Sequence, residues 1–374
     1  MTERAEPYTI GVEEEYQIVD AESRELRPQG QELLPAARST GGEEVQPELY
    51  LSQIEIATPV CRSLAEARSE LVRLRRSVID AAAQENSLIL AAGTHPFSHW
   101  EDQQITPKER YRATTLRYQQ LARELVICGC HVHVGVPDKV AGLEVMNRAR
   151  LWLAPILALA SNSPYWLGAD TGYASFRTQL WNRFPISGPP GTFCSAEDYR
   201  ALVDALVATD SIGDESRIYW DMRLPAHLDT VEFRVTDVCL TVDEAVMVAG
   251  LARALTRSCL EAAQLGDECP MVRPELLRAA HWRAARYGID RDLIHLGEMR
   301  ALPAREMIGR LLEHLRPALE AADEWDEITG LVGQVLERGT GASRQREAFR
   351  RAGSLEDVVD FIASETSEAV RVAR

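Results

Sequence analysis

Apolar and polar residues alternate along four short stretches of the N-terminal two thirds of the chain, and each stretch carries ionisable side chains on one of its faces. In a β-strand, successive side chains point to opposite faces. Over Ile10 to Val19, one face then carries Ile10, Val12, Tyr16 and Ile18 with Glu14 among them, while the other carries Glu13, Glu15 and Gln17. Pro47 to Pro59 reads as a second strand, with Gln53 and Glu55 on the face of Leu51 and Glu48 near its start. Leu125 to Pro137 is rich in β-branched residues and places His131 and His133 on one face with Gly129, and Val132, Val134 and Val136 on the other. Thr230 to Val235 sets Thr230, Glu232 and Arg234 against Val231, Phe233 and Val235, in a hairpin-like pair with Ile218 to Leu224. Ser87 to Ala92 is a further short, buried strand.

Helical periodicity fills the spaces between. Ser63 to Glu66 is a capping box that opens a helix with apolar residues at Leu64, Ala67, Leu71, Leu74, Val78 and Ala82. Thr106 followed by Pro107 predicts another helix start, and Ala141 to Ser161 and Glu197 to Ala208 read as helices. Ala21 to Gly42 reads as a polar turn region, and Ser163 to Gly191 as ordered irregular structure around a site. From a second capping box at Thr241 to Glu244, helix follows helix: Ala245–Leu265, Pro274–Tyr287, Pro303–Ala321, Glu324–Glu337 and Leu355–Val372. The expected fold is α+β, an antiparallel or mixed sheet with helices packed on one side. The expected organisation is a single catalytic domain over 1–374, sheet-rich over 1–240 and with a helical covering region over 241–374. The loops Phe97 to Thr106 and Pro185 to Thr192 are expected to form the substrate pocket.

Composition narrows the partners. Hydrophobic residues at 45% suffice for a sizeable core, and a formal net charge of -16 with no basic stripe argues against nucleic-acid binding. A nucleotide stays possible as a ligand, because a metal ion can carry positive charge to its phosphates. The seven cysteines are scattered, no secretory signal is read, and no apolar run approaches the roughly 18 residues that span a bilayer. A cytoplasmic protein with free thiols, not bound to membrane, is therefore expected. Cys128-Gly-Cys130 lacks a second cysteine pair and reads as small buried side chains, not a zinc site.

Each polar strand residue has a bland reading. Glu13 and Glu15 could be the solvated face of an edge strand, Glu55 an exposed edge residue, and Glu232 with Arg234 a surface salt bridge. Together, however, Glu13, Glu15, Glu48, Glu55 and Glu232 supply five carboxylates, His131 and His133 two imidazoles, and Arg177, Arg223 and Arg234 three guanidinium groups. Carboxylates in that number hold Mg2+ or Mn2+, and fixed arginines clamp phosphate oxygens. A sheet face with both is what phosphoryl transfer from Mg-ATP requires. The chain has no G-x-x-x-x-G-K-[ST] loop and no kinase-type loop, and neither lysine, Lys108 or Lys139, is placed for such a role, so the common nucleotide folds are excluded.

The motifs GVEEEY, QIEIATP, GTHPF, CGCHVHVGVP, SPYWLGADTGYASFR and WDMRLPAHLDTVEFRVTD, in this order from Tyr8 to Val242, resemble the type-2 glutamate–cysteine ligase superfamily and, within it, the bacterial carboxylate–amine ligases. The resemblance implies a catalytic domain like that of glutamine synthetase, an antiparallel sheet curved into a funnel with metals and nucleotide on its concave face. It also implies a reaction in which ATP phosphorylates a carboxylate and an amine attacks the acyl phosphate, with glutamate and cysteine as the nearest substrate pair. By motif, Glu13, Glu15, Glu48, Glu55 and Glu232 look like metal ligands, and His131 like a residue near metals and phosphates. His133 is a less defined neighbour on the nucleotide side. Arg177 and Arg234 look like phosphate or acyl-phosphate clamps, and Arg223 is a further candidate for substrate or phosphate. The implied partners are an amino acid and an amine, and a homo-oligomer is compatible with this reading. Two alternatives stay open: a metal-dependent amide hydrolase on the same scaffold, and a non-catalytic sensor, against which the full carboxylate set weighs.

Overall fold

The long strand β1 (Ile10–Asp20) is paired along both edges, and the rest of the sheet is assembled from it. The computed structural model describes residues 6–372. Its main sheet comprises β1, β2 (Val45–Pro47), β3 (Gln53–Ala57), β4 (Ser87–Leu90), β5 (Gly129–Gly135), β6 (Met222–Arg223) and β7 (Thr230–Asp237). The order is β6-β7-β5-β1-β3-β2, with β4 pairing the second half of β1, and every pairing is antiparallel. Antiparallel pairing sets residues of like face directly opposite one another. Val12 thus meets Val132, which meets Phe233, on one face, and Glu13 meets His131 on the other.

The helices are α1 (Gly30–Gly41), α2 (Leu64–Gln84), α3 (Glu109–Tyr118), α4 (Gln120–Arg123), α5 (Lys139–Ala149), α6 (Leu153–Leu159), α7 (Phe176–Trp181), α8 (Ala196–Ala208), α9 (Val242–Leu265) and α10 (Pro274–Tyr287). They are followed by α11 (Ala304–Glu320), α12 (Trp325–Arg338), α13 (Gly341–Ala352), α14 (Leu355–Thr366) and α15 (Glu368–Val372). The apolar face of the sheet packs on α2, α5 and α9 in one core that includes Ile10, Val12, Val132, Phe233, Leu71 and Val248. The fold is the expected α+β class. Among the described residues no helix is long and apolar enough to cross a membrane, and all seven cysteines are free thiols.

Glu14 is the one carboxylate of its trio that faces this core. It and Arg75 of α2 are both fully buried, paired at 2.5 Å and 2.9 Å through two nitrogens. Tyr16 donates its hydroxyl to Glu14, and Arg75 donates further to the carbonyls of Cys239 and Leu240. A buried charge is tolerable only when paired and hydrogen-bonded in this way. The cluster ties β1, α2 and the β7–α9 connection together.

Several element boundaries differ from the sequence reading, each for a local reason. The supposed turn over 21–42 contains α1, in which Pro35 obscures an amphipathic pattern that buries Leu33 and Ala37. The strand read over Pro47–Pro59 is a hairpin of β2 and β3, and Glu48 lies in its turn, where its carboxylate accepts from the Leu49 amide. Thr106 caps no helix: it is buried and donates to the Glu48 carbonyl, and α3 starts at Glu109. The helix read over Ala141–Ser161 is broken into α5 and α6, because Pro155 has no N–H for the Leu151 carbonyl and its ring would clash there. The covering region also holds a strand pair, Leu293–His295 with Arg300–Leu302, and α13, which were not read.

Substituting Arg75→Met leaves Glu14 buried without its partner and is expected to cost about 3–5 kcal/mol. Urea unfolding monitored by circular dichroism checks this; a loss under about 1 kcal/mol would show that the pair is dispensable.

Candidate active site

The second face of the sheet is lined with charge. Pairing sets Glu15 directly opposite Glu55, which is opposite Gln46, while Glu13 lies opposite His131 and Glu232 lies between His133 and Arg223. A cavity of about 450 Å³ opens over this face. Glu13, Glu15, Glu48, Glu55, His131, Arg177, Arg223 and Arg234 all line it. His133 and Glu232 lie behind the lining, and the donor atoms of Glu13, His133 and Glu232 fall within 4.8 Å of one another.

The face divides electrostatically into two parts. Around Glu13, His131 Nδ1 lies 3.3 Å from one carboxylate oxygen and His133 Nε2 lies 3.3 Å from the other. Burial alone would raise the Glu13 pKa, but these two imidazoles outweigh it and hold Glu13 well below the usual carboxylate range. His131 is itself pushed down to about 4 by burial and the nearby Arg234 charge. Glu232 is fully buried, yet Arg234 and Arg223 overcome the cost of burial and keep it ionised. Arg223 reaches it at 2.6 Å and also donates to the carbonyls of Ser216 and Ile218, whereas Arg234 contacts it from its own strand.

Around Glu15 the compensation from Arg177, Arg234 and the Gly129 amide falls short. Burial, and then the charge of Glu48, push Glu15 up to about 7, although the Gly129 amide donates to it at 2.6 Å. Burial also raises Glu48, and burial with Glu48, Glu13 and Glu15 raises Glu55 well above its ordinary value. Three carboxyl groups that are hard to ionise together, with oxygen donors only, have the chemistry of a Mg2+ or Mn2+ site. The donor chemistry of Glu15, Glu48 and Glu55 suits a hard divalent cation, while the group whose ligand atoms already converge among the described residues is Glu13, His133 and Glu232, with mixed nitrogen and oxygen donors.

Arg177 reaches the cavity from α7, which opens with Ser175 as N-cap. Its guanidinium occupies the space above Gly129: a β-carbon there would lie 2.4 Å from Arg177 Nη2. In β7 the ladder slips between Phe233 and Thr236, a bulge that re-aims side chains beside Arg234.

Sequence reasoning missed part of the wall. Arg110 and Tyr111 of α3, Trp181 of α7, and Arg217 line the same cavity. Arg110 lies over the Tyr111 ring at 4.5 Å, close enough to Glu48 and Glu55 to offset part of the rise that burial imposes on both. The Thr106-Pro107 helix signal lay just upstream, but nothing in the local pattern pointed α3 toward the sheet. Conversely, neither loop expected to form the pocket lines it. Phe97–Thr106 is folded back by the His95 ring, which accepts from Phe97 and Ser98, and Leu51 donates to Gln104. In the other loop, Ser187 and Gly188 pair with Tyr219 and Trp220.

The sequence and the fold both resemble those of known proteins. The family model described as glutamate-cysteine ligase family 2 matches residues 9–361. A relative from Rhodopirellula baltica, named as a candidate glutamate–cysteine ligase 2, is 45% identical over 363 residues, 96% of each chain. A Frankia casuarinae relative with the same kind of name is 41% identical over 359 residues, and there the chain spans only 41% of the longer protein. The crystal structure of glutamate–cysteine ligase from Francisella tularensis in complex with AMP superposes with a TM-score of 0.69 at 13% identity, covering 99% of this chain and 94% of that one, a likeness of fold.

Two outcomes are expected. Gly129→Ala should displace Arg177 and lower turnover by about tenfold or more at near-native stability, measured by steady-state kinetics and thermal melting. The metal-free protein should lose stability as pH rises from the ordinary carboxylate range to about 7. Glu15 has a folded pKa near 7, above its unfolded value, so the stability held by its neutral form is present at low pH and lost as pH rises through 7. His131 acts in the opposite sense between about 4 and 6.5, whereas Glu48 and Glu55, both raised, add to the loss. Mg2+ or Mn2+ should restore the melting temperature more at pH 8 than at pH 6; a melting temperature flat with pH and metal would contradict this.

Proposed function

The chain belongs to the glutamate–cysteine ligase family 2 and is an ATP-dependent carboxylate–amine ligase, and from that premise we propose that it forms an amide through an acyl phosphate on the carboxylate face of its sheet. The observation that carries this reading is the group of Glu15, Glu48 and Glu55 carboxyls that lines the cavity beside Arg177 and Arg234. Glu13, Glu15, Glu48, Glu55 and Glu232, with His131 and His133 at hand, would hold divalent cations, which when bound neutralise phosphate charge. Arg177 and Arg234 bind the oxygens of the transferring phosphoryl group. Arg223 keeps Glu232 ionised and in place.

In the proposed sequence, a substrate carboxylate oxygen attacks the γ-phosphorus of ATP and ADP leaves. The amine nitrogen then attacks the acyl carbon, phosphate leaves, and the amine loses a proton. Arg177 and Arg234 stabilise the charge in both steps, and no side chain needs to form a covalent intermediate. We take glutamate and cysteine as the nearest substrate pair, after the names of the relatives. We also take residues 1–374 as one catalytic unit, because Gln345 of α13 donates to Asn162, which in turn donates to the Val238 carbonyl just past β7. The mixed ligand group of Glu13, His133 and Glu232 supports a second reading, a metal-dependent amide hydrolase.

A screen of amino acids and amines for ADP release tests the proposal. ADP should appear only with Mg2+ or Mn2+, a carboxylate and an amine, and Glu13→Gln should reduce the rate by about a hundredfold or more with the fold intact. Turnover of a γ-glutamyl amide without nucleotide would instead favour the hydrolase, and unchanged turnover of the Glu13→Gln variant would remove Glu13 from the metal site.

A further inference from the structure

Arg177 and Arg234 are the two cations on which the proposed phosphoryl transfer rests, yet both are sparsely hydrogen-bonded: Arg234 holds Glu232 through one terminal nitrogen, and Arg177 has no carboxylate partner among the described residues. Arg177 is 3% exposed, and the only hydrogen bond from its guanidinium is a marginal one, 3.5 Å from Nη2 to the Arg234 carbonyl. Its Nε is buried without a partner, and so is the Nε of Arg234. Both groups instead face one indole. The guanidinium carbon of Arg177 lies 5.9 Å from the Trp181 ring centroid, and that of Arg234 lies 5.5 Å from it. Arg177 and Trp181 are one helical turn apart on α7, so their contact is local, whereas Arg234 arrives from β7.

The indole is itself immobilised. Trp181 Nε1 donates to the Tyr219 carbonyl at 2.9 Å, and the rings of Tyr219 and Phe184 pack against it at 5.2 and 5.8 Å. The start of α7 is anchored by a buried carboxylate: Ser175 and Ser163 both donate to Asp237 at 2.7 Å, and Ser163 accepts from the Arg177 amide at 3.1 Å. An aromatic face attracts a cation without using any of its N–H donors. That is the useful property here, because the Arg177 donors, and those of Arg234 that Glu232 does not use, stay free for phosphate oxygens.

We propose that Trp181 is a positioning residue that sets the spacing and direction of Arg177 and Arg234 through its ring face, leaving the N–H groups that Glu232 does not engage available to the transferring phosphoryl group. This rests on the ligase reading above, in which these arginines bind phosphate.

The test is binding, so it is independent of turnover: calorimetric titration of a non-hydrolysable ATP analogue, and of AMP, in the presence of Mg2+. Trp181→Leu should weaken the analogue on the order of thirty-fold while leaving AMP nearly unchanged. Trp181→Phe, which keeps a π-face but loses the Tyr219 hydrogen bond, should recover most of the analogue affinity even if its melting temperature falls as far as that of the Leu variant. If Phe and Leu lose affinity equally, or in proportion to their loss of stability, Trp181 only fills space and the proposal is overturned. Arg234→Gln separates this from the reading beneath it. If that variant binds the analogue as tightly as the native protein, the phosphate role of the arginine fails, and the role of Trp181 with it.

Discussion

Two carboxylates set directly opposite one another across an antiparallel pair are unfavourable, and the register of β1 against β3 imposes this on Glu15 and Glu55. Much of the rest of the structure can be understood as support for that arrangement. The same strand presents Val12, Tyr16 and Ile18 to a continuous core, and locks its inner face with the Glu14–Arg75 pair. Stability gathered on one side of the sheet holds an unfavourable charge distribution on the other. A cation bound there, as proposed, would relieve it, so metal binding and folding stability would be coupled.

The charged face is graded. Toward β7, every carboxylate already has a positive or polar partner: Glu13 with two imidazoles, Glu232 with two guanidinium groups. Toward β3, compensation falls away and neutral carboxyl groups are favoured. The site is thus organised before any ligand arrives at one end, and dependent on a ligand at the other. Strong charge partners at the ordered end keep Glu232 and Glu13 ionised across the neutral pH range, while the other end remains responsive to it.

What could be read from the sequence followed the period of two. β1, β5 and β7 alternate cleanly, so the membership of each face, including the separation of Glu14 from Glu13 and Glu15, was legible without coordinates. Where a second signal overlay the pattern, reading failed. Pro35 hid α1, Pro155 split a helix that periodicity alone would continue, and the apolar run between Pro47 and Pro59 made a hairpin look like one strand. The cavity wall was illegible for a different reason. Arg110 and Trp181 come from short helices whose direction is decided by tertiary contacts, such as the Thr106 hydroxyl on the Glu48 carbonyl and the Asp237 anchor of α7. Nothing local in GYASFRTQLW distinguishes an inward tryptophan from an outward one.

The alternation in β1 has a consequence for how this protein can vary. Because acidic residues occupy three successive positions, inserting or deleting one residue before Glu13 would send Glu13 and Glu15 into the hydrophobic interior and bring Glu14 out from Arg75. No nearby pairing offers a tolerable substitute, since every neighbouring register buries at least one carboxylate without a cation. The EEE run therefore works as a frame marker for the whole sheet. Length changes among descendants of this chain should accumulate in the surface loops and helices and stop short of this strand, whatever substrates those descendants come to join.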